Sequence, residues 1–188
     1  QTNLLFWTEH ELHQYPRYLP DVEALRAASG KLVLAGGEES RDTFPYRPNL
    51  TLLTTPVSAG RRDRTLIDRL RERPPGSTIV YVTLQRTAER LAALLAAAGL
   101  PARAYHAGLN ADERVAVQEW WTQSGSNIVV ATIAFGMGID KSDVRYVYYV
   151  NLPKGLESYS QEIGRAGRDG KESICELFAC PEDVPTLE

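Results

Sequence analysis

From Asn49 onward the chain alternates short β-rich runs with helical patterns, and no other feature restricts its fold as strongly. Strand, helix and strand in repetition bring successive strands parallel, so a series of such units builds an α/β domain around one parallel sheet. Leu50–Thr55 reads as a strand, and Arg62–Arg73 as a helix with Leu66, Ile67 and Leu70 on one face. Pro74-Pro75-Gly76 stops that helix. Ile79–Thr83 is a continuous apolar run of the kind a strand covered on both faces requires. Arg86–Ala98 is an Ala/Leu-rich helix that Gly99 and Pro101 end, and Ala102–Tyr105 is the next strand. Asn110 with Glu113 three residues on reads as a capping pair opening a helix to about Gln123. Asn127–Thr132 and Val144–Val150 are further strands, separated by the loop Ile133–Asp143. Glu157–Arg168 is predicted as the last long helix and Ser173–Phe178 as the last strand. The sum is a three-layer α/β/α parallel sheet over residues 48–188.

Residues 1–47 read differently. Leu4–Trp7 and Lys31–Ala35 suit strands and Val22–Ala28 a short helix, too little chain to close a core of its own. Pro45 and Pro48 mark the boundary. The two cysteines, Cys175 and Cys180, supply neither a disulfide framework nor a four-ligand zinc site, so no metal is expected. The most apolar stretches, Leu91–Leu100 and Ile128–Ile139, are shorter than the roughly 18–20 residues of a membrane span. No signal peptide is recognisable, and a cytoplasmic setting, with a bacterial nucleoid, is the expectation. The net charge of −3 argues against a nucleic-acid partner only superficially. Residues 1–48 carry 5 basic and 7 acidic side chains, so the ends supply the negative balance and the α/β portion is slightly positive.

The segment with the most chemistry is Gln161-Glu162-Ile163-Gly164-Arg165-Ala166-Gly167-Arg168-Asp169-Gly170. On a helix Gln161, Arg165 and Arg168 stand at i, i+4 and i+7, one stripe carrying two guanidiniums beside small residues. Arginine's planar fork suits bidentate contact with polyphosphate oxygens. Elsewhere Gly136 and Gly138 let backbone approach a ligand closely, and Asp140 can accept from a ribose hydroxyl. Thr83, Gln85, Arg86, His106 and Gly108 lie at strand ends, where hydroxyls, amides and helix N-terminal N–H groups suit phosphates. The cluster Arg61, Arg62, Arg64, Arg69, Arg71, Arg73 is interleaved with acids and reads first as a solvated helix face and second as a basic edge near DNA. Trp120 and Trp121 read as core packing and its flank.

The 161–170 segment resembles motif VI of superfamily 2 helicases, in the wording of the RecQ DNA helicases. Thr132-Ile133-Ala134-Phe135-Gly136-Met137-Gly138-Ile139-Asp140-Lys141 is similar to their motif V. Thr78-Ile79-Val80-Tyr81-Val82-Thr83 resembles motif IV, and Tyr105-His106-Ala107-Gly108-Leu109 the motif that follows. Asn151-Leu152-Pro153-Lys154 matches the approach to motif VI, and all five stand in family order. The resemblance implies a RecA-like second lobe, of P-loop NTPase type, in an ATP-dependent 3′–5′ DNA helicase. It implies that Arg168 is the arginine finger, Arg165 a second phosphate cation and Gln161 an orienting group. Gly138 and Asp140, with both arginines, would face ATP. Thr83, Gln85, Arg86, His106, Gly108 and Thr132 would hold one DNA strand at a single-stranded/duplex junction.

Two positions depart from the family pattern: Tyr149 stands where histidine is frequent, and Ser142 where proline is usual. The G-x-x-x-x-G-K-[ST] and D-E-x-H patterns occur nowhere in the 188 residues. The Mg²⁺ ligands that accompany ATP are therefore expected in a separate first RecA-like lobe, the implied partner. An alternative is a nucleic-acid-binding fragment without catalysis. Leu4–Trp7 and Lys31–Glu38 are similar to late strands of an α/β-hydrolase, but no G-x-S-x-G elbow accompanies them.

Overall fold

The computed structural model describes residues 49–136, 139–153 and 155–183. The elements expected within 1–47, and the boundary at Pro45 and Pro48, lie outside the described residues. Six strands form one sheet: β1 (Leu50–Pro56), β2 (Ser77–Tyr81), β3 (Ala102–Tyr105), β4 (Ile128–Ala131), β5 (Val144–Tyr149) and β6 (Ser173–Ala179). The helices are α1 (Arg62–Glu72), α2 (Gln85–Ala97), α3 (Ala111–Thr122) and α4 (Leu156–Ile163). The sheet order is β1-β6-β5-β2-β4-β3 and every pairing is parallel.

That order explains the three layers. The chain steps outward from β1 through β2 to β3 and returns through β4 and β5 to β6. Right-handed crossovers put the helices of the outward leg on one face and those of the return leg on the other. Leu66 and Ile67 of α1 and Ala88, Leu91, Ala92 and Leu95 of α2 accordingly pack on Val80, Val130 and Tyr148. On the opposite face Trp121 of α3 and Tyr159 and Ile163 of α4 pack on Ile79, Val129 and Val147. β2 is buried from end to end because it lies between β4 and β5 and under helices on both sides.

Several local expectations hold. Asn110 Oδ1 accepts the Glu113 N–H at 2.8 Å while the Asn110 N–H donates to Glu113 Oε2 at 3.0 Å, a reciprocal cap that stabilises α3 by about 1 kcal/mol. Trp121 is fully buried and its Nε1–H donates to the Thr78 carbonyl at 2.9 Å. Trp120 flanks it, half-buried beneath the Arg103 guanidinium 4.4 Å from its ring centre.

Two expectations need correction. The last helix ends at Ile163, not Arg168. After Gly164 the backbone tightens, with Arg165 N–H bonding Glu162 O and Ala166 N–H bonding Ile163 O, and Gly167 adopts φ +62°. Gly167 N–H then turns to the Val144 carbonyl at 3.0 Å, which docks the turn on the start of β5. The arginine-rich helix is also not simply solvated. Arg62 is buried against Asp183 at 2.9 Å, and Arg69 and Arg73 both reach Glu176, a fully buried carboxylate in β6. Among the described residues no helix is long and apolar enough to cross a membrane.

Candidate functional site

A parallel sheet brings all its strand C-termini to one edge, where loops collect unpaired backbone groups. Register aligns Tyr81, Ala131 and Tyr105 in a row across β2, β4 and β3, so the residues that follow them emerge side by side. Thr83 is exposed there, its N–H 3.4 Å from Asn151 Oδ1. Gln85 and Arg86, both exposed, open α2. The N-cap of α2 is Leu84, which offers no side-chain cap, so its first N–H groups lack the side-chain partner that α3 has.

His106 follows β3 and is buried, with Nε2 3.1 Å from Glu89 Oε1, although neither ring nitrogen makes a well-aligned hydrogen bond. A Cβ at Gly108 would lie 2.5 Å from Gln85 Oε1 and 3.1 Å from His106 Nδ1, so glycine lets the loop close on α2. Thr132 follows β4, buried, its N–H donating to the Tyr105 carbonyl at 3.2 Å. All six residues expected to hold a nucleic-acid strand thus gather at one edge of three neighbouring strands.

The motif VI residues do not form one stripe, because the helix ends before them. Gln161 is exposed on the last turn of α4. Arg165 folds inward: a Cβ at Gly136, where φ is +152°, would lie 2.5 Å from one of its terminal nitrogens and 2.8 Å from Cζ. The guanidinium therefore rests on bare backbone of the β4–β5 loop. Its Nε is buried without a hydrogen-bond partner. Arg168 stays exposed, its Nε donating to the Gly164 carbonyl at 3.2 Å. Next to it the Asp169 N–H donates to the Ser142 carbonyl at 3.1 Å, two residues after exposed Asp140. Asp140 and Arg168 thus flank one bridge at the base of β5, away from the strand-end edge. Gly138 lies outside the described residues.

An orphaned guanidinium nitrogen and an exposed second arginine suit a polyphosphate. Among the described residues no group of three His, Cys, Asp or Glu side chains converges. Gly136→Ala is expected to displace Arg165 and to cost about 1–3 kcal/mol through the positive φ. Gly60→Ala, with nothing within 4 Å, serves as the neutral control, and urea unfolding of both variants checks the difference.

Sequence reasoning passed over the buried carboxyl of motif VI. Glu162 is buried, and burial pushes its carboxyl up to about 7 against the opposing effects of the Tyr149 hydroxyl and the Arg165 charge. The Tyr149 hydroxyl stands close to Glu162 without a well-aligned hydrogen bond. Tyr81 stacks on Tyr149 with ring centres 5.4 Å apart, and its hydroxyl also meets Arg165. The available signal was helical spacing: Tyr159, Ile163 and Ala166 are core residues, and Glu162 sits among them.

Residues 61–170 match the helicase conserved C-terminal domain. A RecQ-like DNA helicase, blm-1 of Caenorhabditis elegans, is 46% identical over 130 residues, covering 69% of this chain and 13% of the relative. ATP-dependent DNA helicase Q5 of Rattus norvegicus is 48% identical over 108 residues, 57% of this chain and 11% of that protein. The chain thus spans little more than a tenth of these relatives. Among solved structures, the C-terminal domain of the DEAD-box protein Dbp5 aligns with a TM-score of 0.63 at 21% identity, covering 78% of this chain and 82% of that one. Domain 2 of the DEAD-box helicase Mss116p, bound to an RNA duplex, gives 0.65 at 20% identity, covering 73% of this chain and 56% of that one.

Proposed function

The chain belongs to the helicase conserved C-terminal domain family and is RecQ-like within it, and from that premise we propose that it supplies the second motor lobe of an ATP-dependent 3′–5′ DNA helicase. The observation that carries this reading is the pairing of two surfaces on one sheet: Thr83, Gln85, Arg86, His106, Gly108 and Thr132 at the strand-end edge, and Arg165, Arg168 and Asp140 around the β4–β5 loop. Thr132 and Gly136 belong to the same loop, so a change at the arginines reaches the nucleic-acid edge through four residues of chain.

In this reading the uncapped N–H groups of α2 and the loop hydroxyls take phosphates of one DNA strand at a single-stranded/duplex junction, contacts that position without reading sequence. ATP is the substrate, and Mg²⁺ supplies charge neutralisation at its phosphates. Arg168 stabilises the charge that builds on the γ-phosphate, Arg165 adds a second cation, Gln161 orients the group, and Gly138 with Asp140 takes the ribose side. A first RecA-like lobe brings the P-loop and the Mg²⁺ ligands. Closure of the two lobes on the nucleotide and reopening after hydrolysis moves the strand by about one nucleotide per cycle, a proposed step within the conformational gating usual for such motors.

The chain alone is expected to show negligible DNA-stimulated ATPase activity, and adding a separately prepared first RecA-like lobe is expected to restore it. Robust turnover by the isolated chain would overturn the lobe reading. DNA binding with no restored turnover would favour a non-catalytic binding role.

A further inference from the structure

Arg168 lies beyond the last helix, so no helical hydrogen-bond ladder sets its place. α4 ends at Ile163, and the Arg168 side chain is exposed, with Nε–H bonded to the Gly164 carbonyl at 3.2 Å. Where the guanidinium stands therefore depends on the backbone from Gly164 to Lys171, which has to be held from outside.

Side chains from the starts of two strands hold it. Asn49, just before β1, donates from Nδ2 to the carbonyls of Gly167 at 2.9 Å and Lys171 at 2.8 Å. Arg145 of β5 makes the wider connection. Its Nη2 donates to Asp169 Oδ1, its Nη1 to the Glu172 carbonyl at 2.9 Å and its Nε to the Asp143 carbonyl at 3.1 Å. Asp169 Oδ1 also accepts the Lys171 N–H at 3.1 Å, and the Asp169 N–H donates to the Ser142 carbonyl at 3.1 Å. One guanidinium thus ties the turn to the strand beneath it, using all three nitrogens in fixed directions that an ammonium group lacks.

The surroundings suit this side chain. Arg145 and Asp169 are 18% and 19% exposed, more shielded than an ordinary surface pair. Gly76, just before β2, leaves bare backbone under the arginine stem: a Cβ there would lie 2.8 Å from Arg145 Cβ and Cγ. Asp169 follows Arg168 directly, so tying its carboxylate and its N–H also ties the backbone that carries Arg168.

We propose that Arg145 is a positioning residue for Arg168: by holding Asp169 and the Glu172 carbonyl it fixes the motif VI turn on β5, and with it the point from which Arg168 reaches the γ-phosphate. This rests on the reading of Arg168 as the arginine finger. A cation that stabilises developing charge acts only from the right place, and a misplacement of about 1 Å can cost about 10²-fold in rate. Loss of the clamp should lower kcat and leave the KM for ATP nearly unchanged, since the finger contributes in the transition state.

Two measurements test this on the full chain. In the chain alone, nitrogen-15 NMR follows hydrogen exchange of the Gly167 and Asp169 amides and of the Arg168 Nε–H in wild type and Arg145→Gln. Exchange about tenfold faster at all three, with the Ile79 and Val80 amides of β2 unchanged, is expected from the loss of a charged hydrogen bond. Unchanged exchange at Arg168 Nε overturns the proposal. Should Arg145→Gln loosen β2 as well, Asp169→Asn, which removes only the outer partner, replaces it in both measurements. In the chain paired with a first RecA-like lobe, kcat and KM for ATP are measured in wild type, Arg145→Gln, Arg145→Lys, Arg168→Ala and the Arg145→Gln/Arg168→Ala double variant. Arg145→Gln is expected to lower kcat about 10²-fold in wild type but less than about twofold beside Arg168→Ala, because no finger is left to position. Arg145→Lys should recover only part of the rate. A loss of the same size in both backgrounds would make Arg145 a support of the fold alone and overturns the proposal. If the paired lobes hydrolyse no ATP in any variant, the motor reading falls, and exchange at Arg168 Nε alone decides whether Arg145 positions Arg168.

Discussion

Arg168→Ala is expected to lower DNA-stimulated ATP hydrolysis by about 10³–10⁵ in the chain paired with a first RecA-like lobe, the range an arginine finger contributes to phosphoryl transfer. Its exposure is what makes the experiment clean. Arg168 lies on the surface, with Nε bonded to the Gly164 carbonyl at 3.2 Å, so its removal should leave stability within about 0.5 kcal/mol. DNA binding should also change little, because the residues proposed to hold the strand lie at the other edge of the sheet. Arg168→Lys keeps the charge and loses the planar fork, so it should recover only part of the rate. Steady-state ATPase assays beside DNA-binding titrations separate these effects. A loss smaller than tenfold would remove Arg168 from the role.

Glu176→Ala is expected to destabilise the fold by about 3–5 kcal/mol, a large share of the 5–15 kcal/mol that holds a typical domain together. Glu176 is fully buried in β6 and accepts from Thr55 at 2.7 Å, from Arg69 at 3.0 Å and from Arg73. Arg73 in turn donates to the Tyr148 hydroxyl at 2.8 Å and lies over the Tyr146 and Tyr148 rings. Removing the carboxylate leaves the largely buried Arg73 without its anion, while Arg69 keeps Glu72 at 3.0 Å. Arg69 is 35% exposed and can turn to water, which places the cost toward the lower end. The triple exchange Glu176→Leu, Arg69→Met, Arg73→Met should be much milder than Glu176→Ala, because no buried charge is left unpaired. Urea unfolding of both variants measures the difference. A loss below about 1 kcal/mol for Glu176→Ala would show that the arginines find other partners at no cost.

Much of the fold was legible because its signals are local. Alternation, the apolar run of β2, the Asn110–Glu113 cap and the Gly99–Pro101 stop each act within a few residues, and each recurs in the structure at or near its expected place. The strand-end site was legible for the same reason: a parallel sheet puts Thr83, His106 and Thr132 at one edge whatever the details of packing. The error over the last helix was local too. Spacing alone favoured a continuous stripe from Gln161 to Arg168, but Gly164 and Gly167 let the backbone tighten and turn onto β5. The misjudged arginines of α1 were a different kind of failure. Nothing near Arg69 and Arg73 in the sequence announces Glu176, more than a hundred residues away.

The sequence by itself determined the fold class and the family, because strand–helix alternation and the ordered motifs are written in neighbouring residues. Only the tertiary structure decided which charges meet. Sheet order brings β6 beside β1 under α1 and so buries Glu176 between arginines, and the turn after α4 sets Arg165 on Gly136 while leaving Arg168 in water. Those partners are chosen by the path of the chain through space. Burial then sets the strength of each pairing, since a charge away from water needs a partner and a charge at the surface does not.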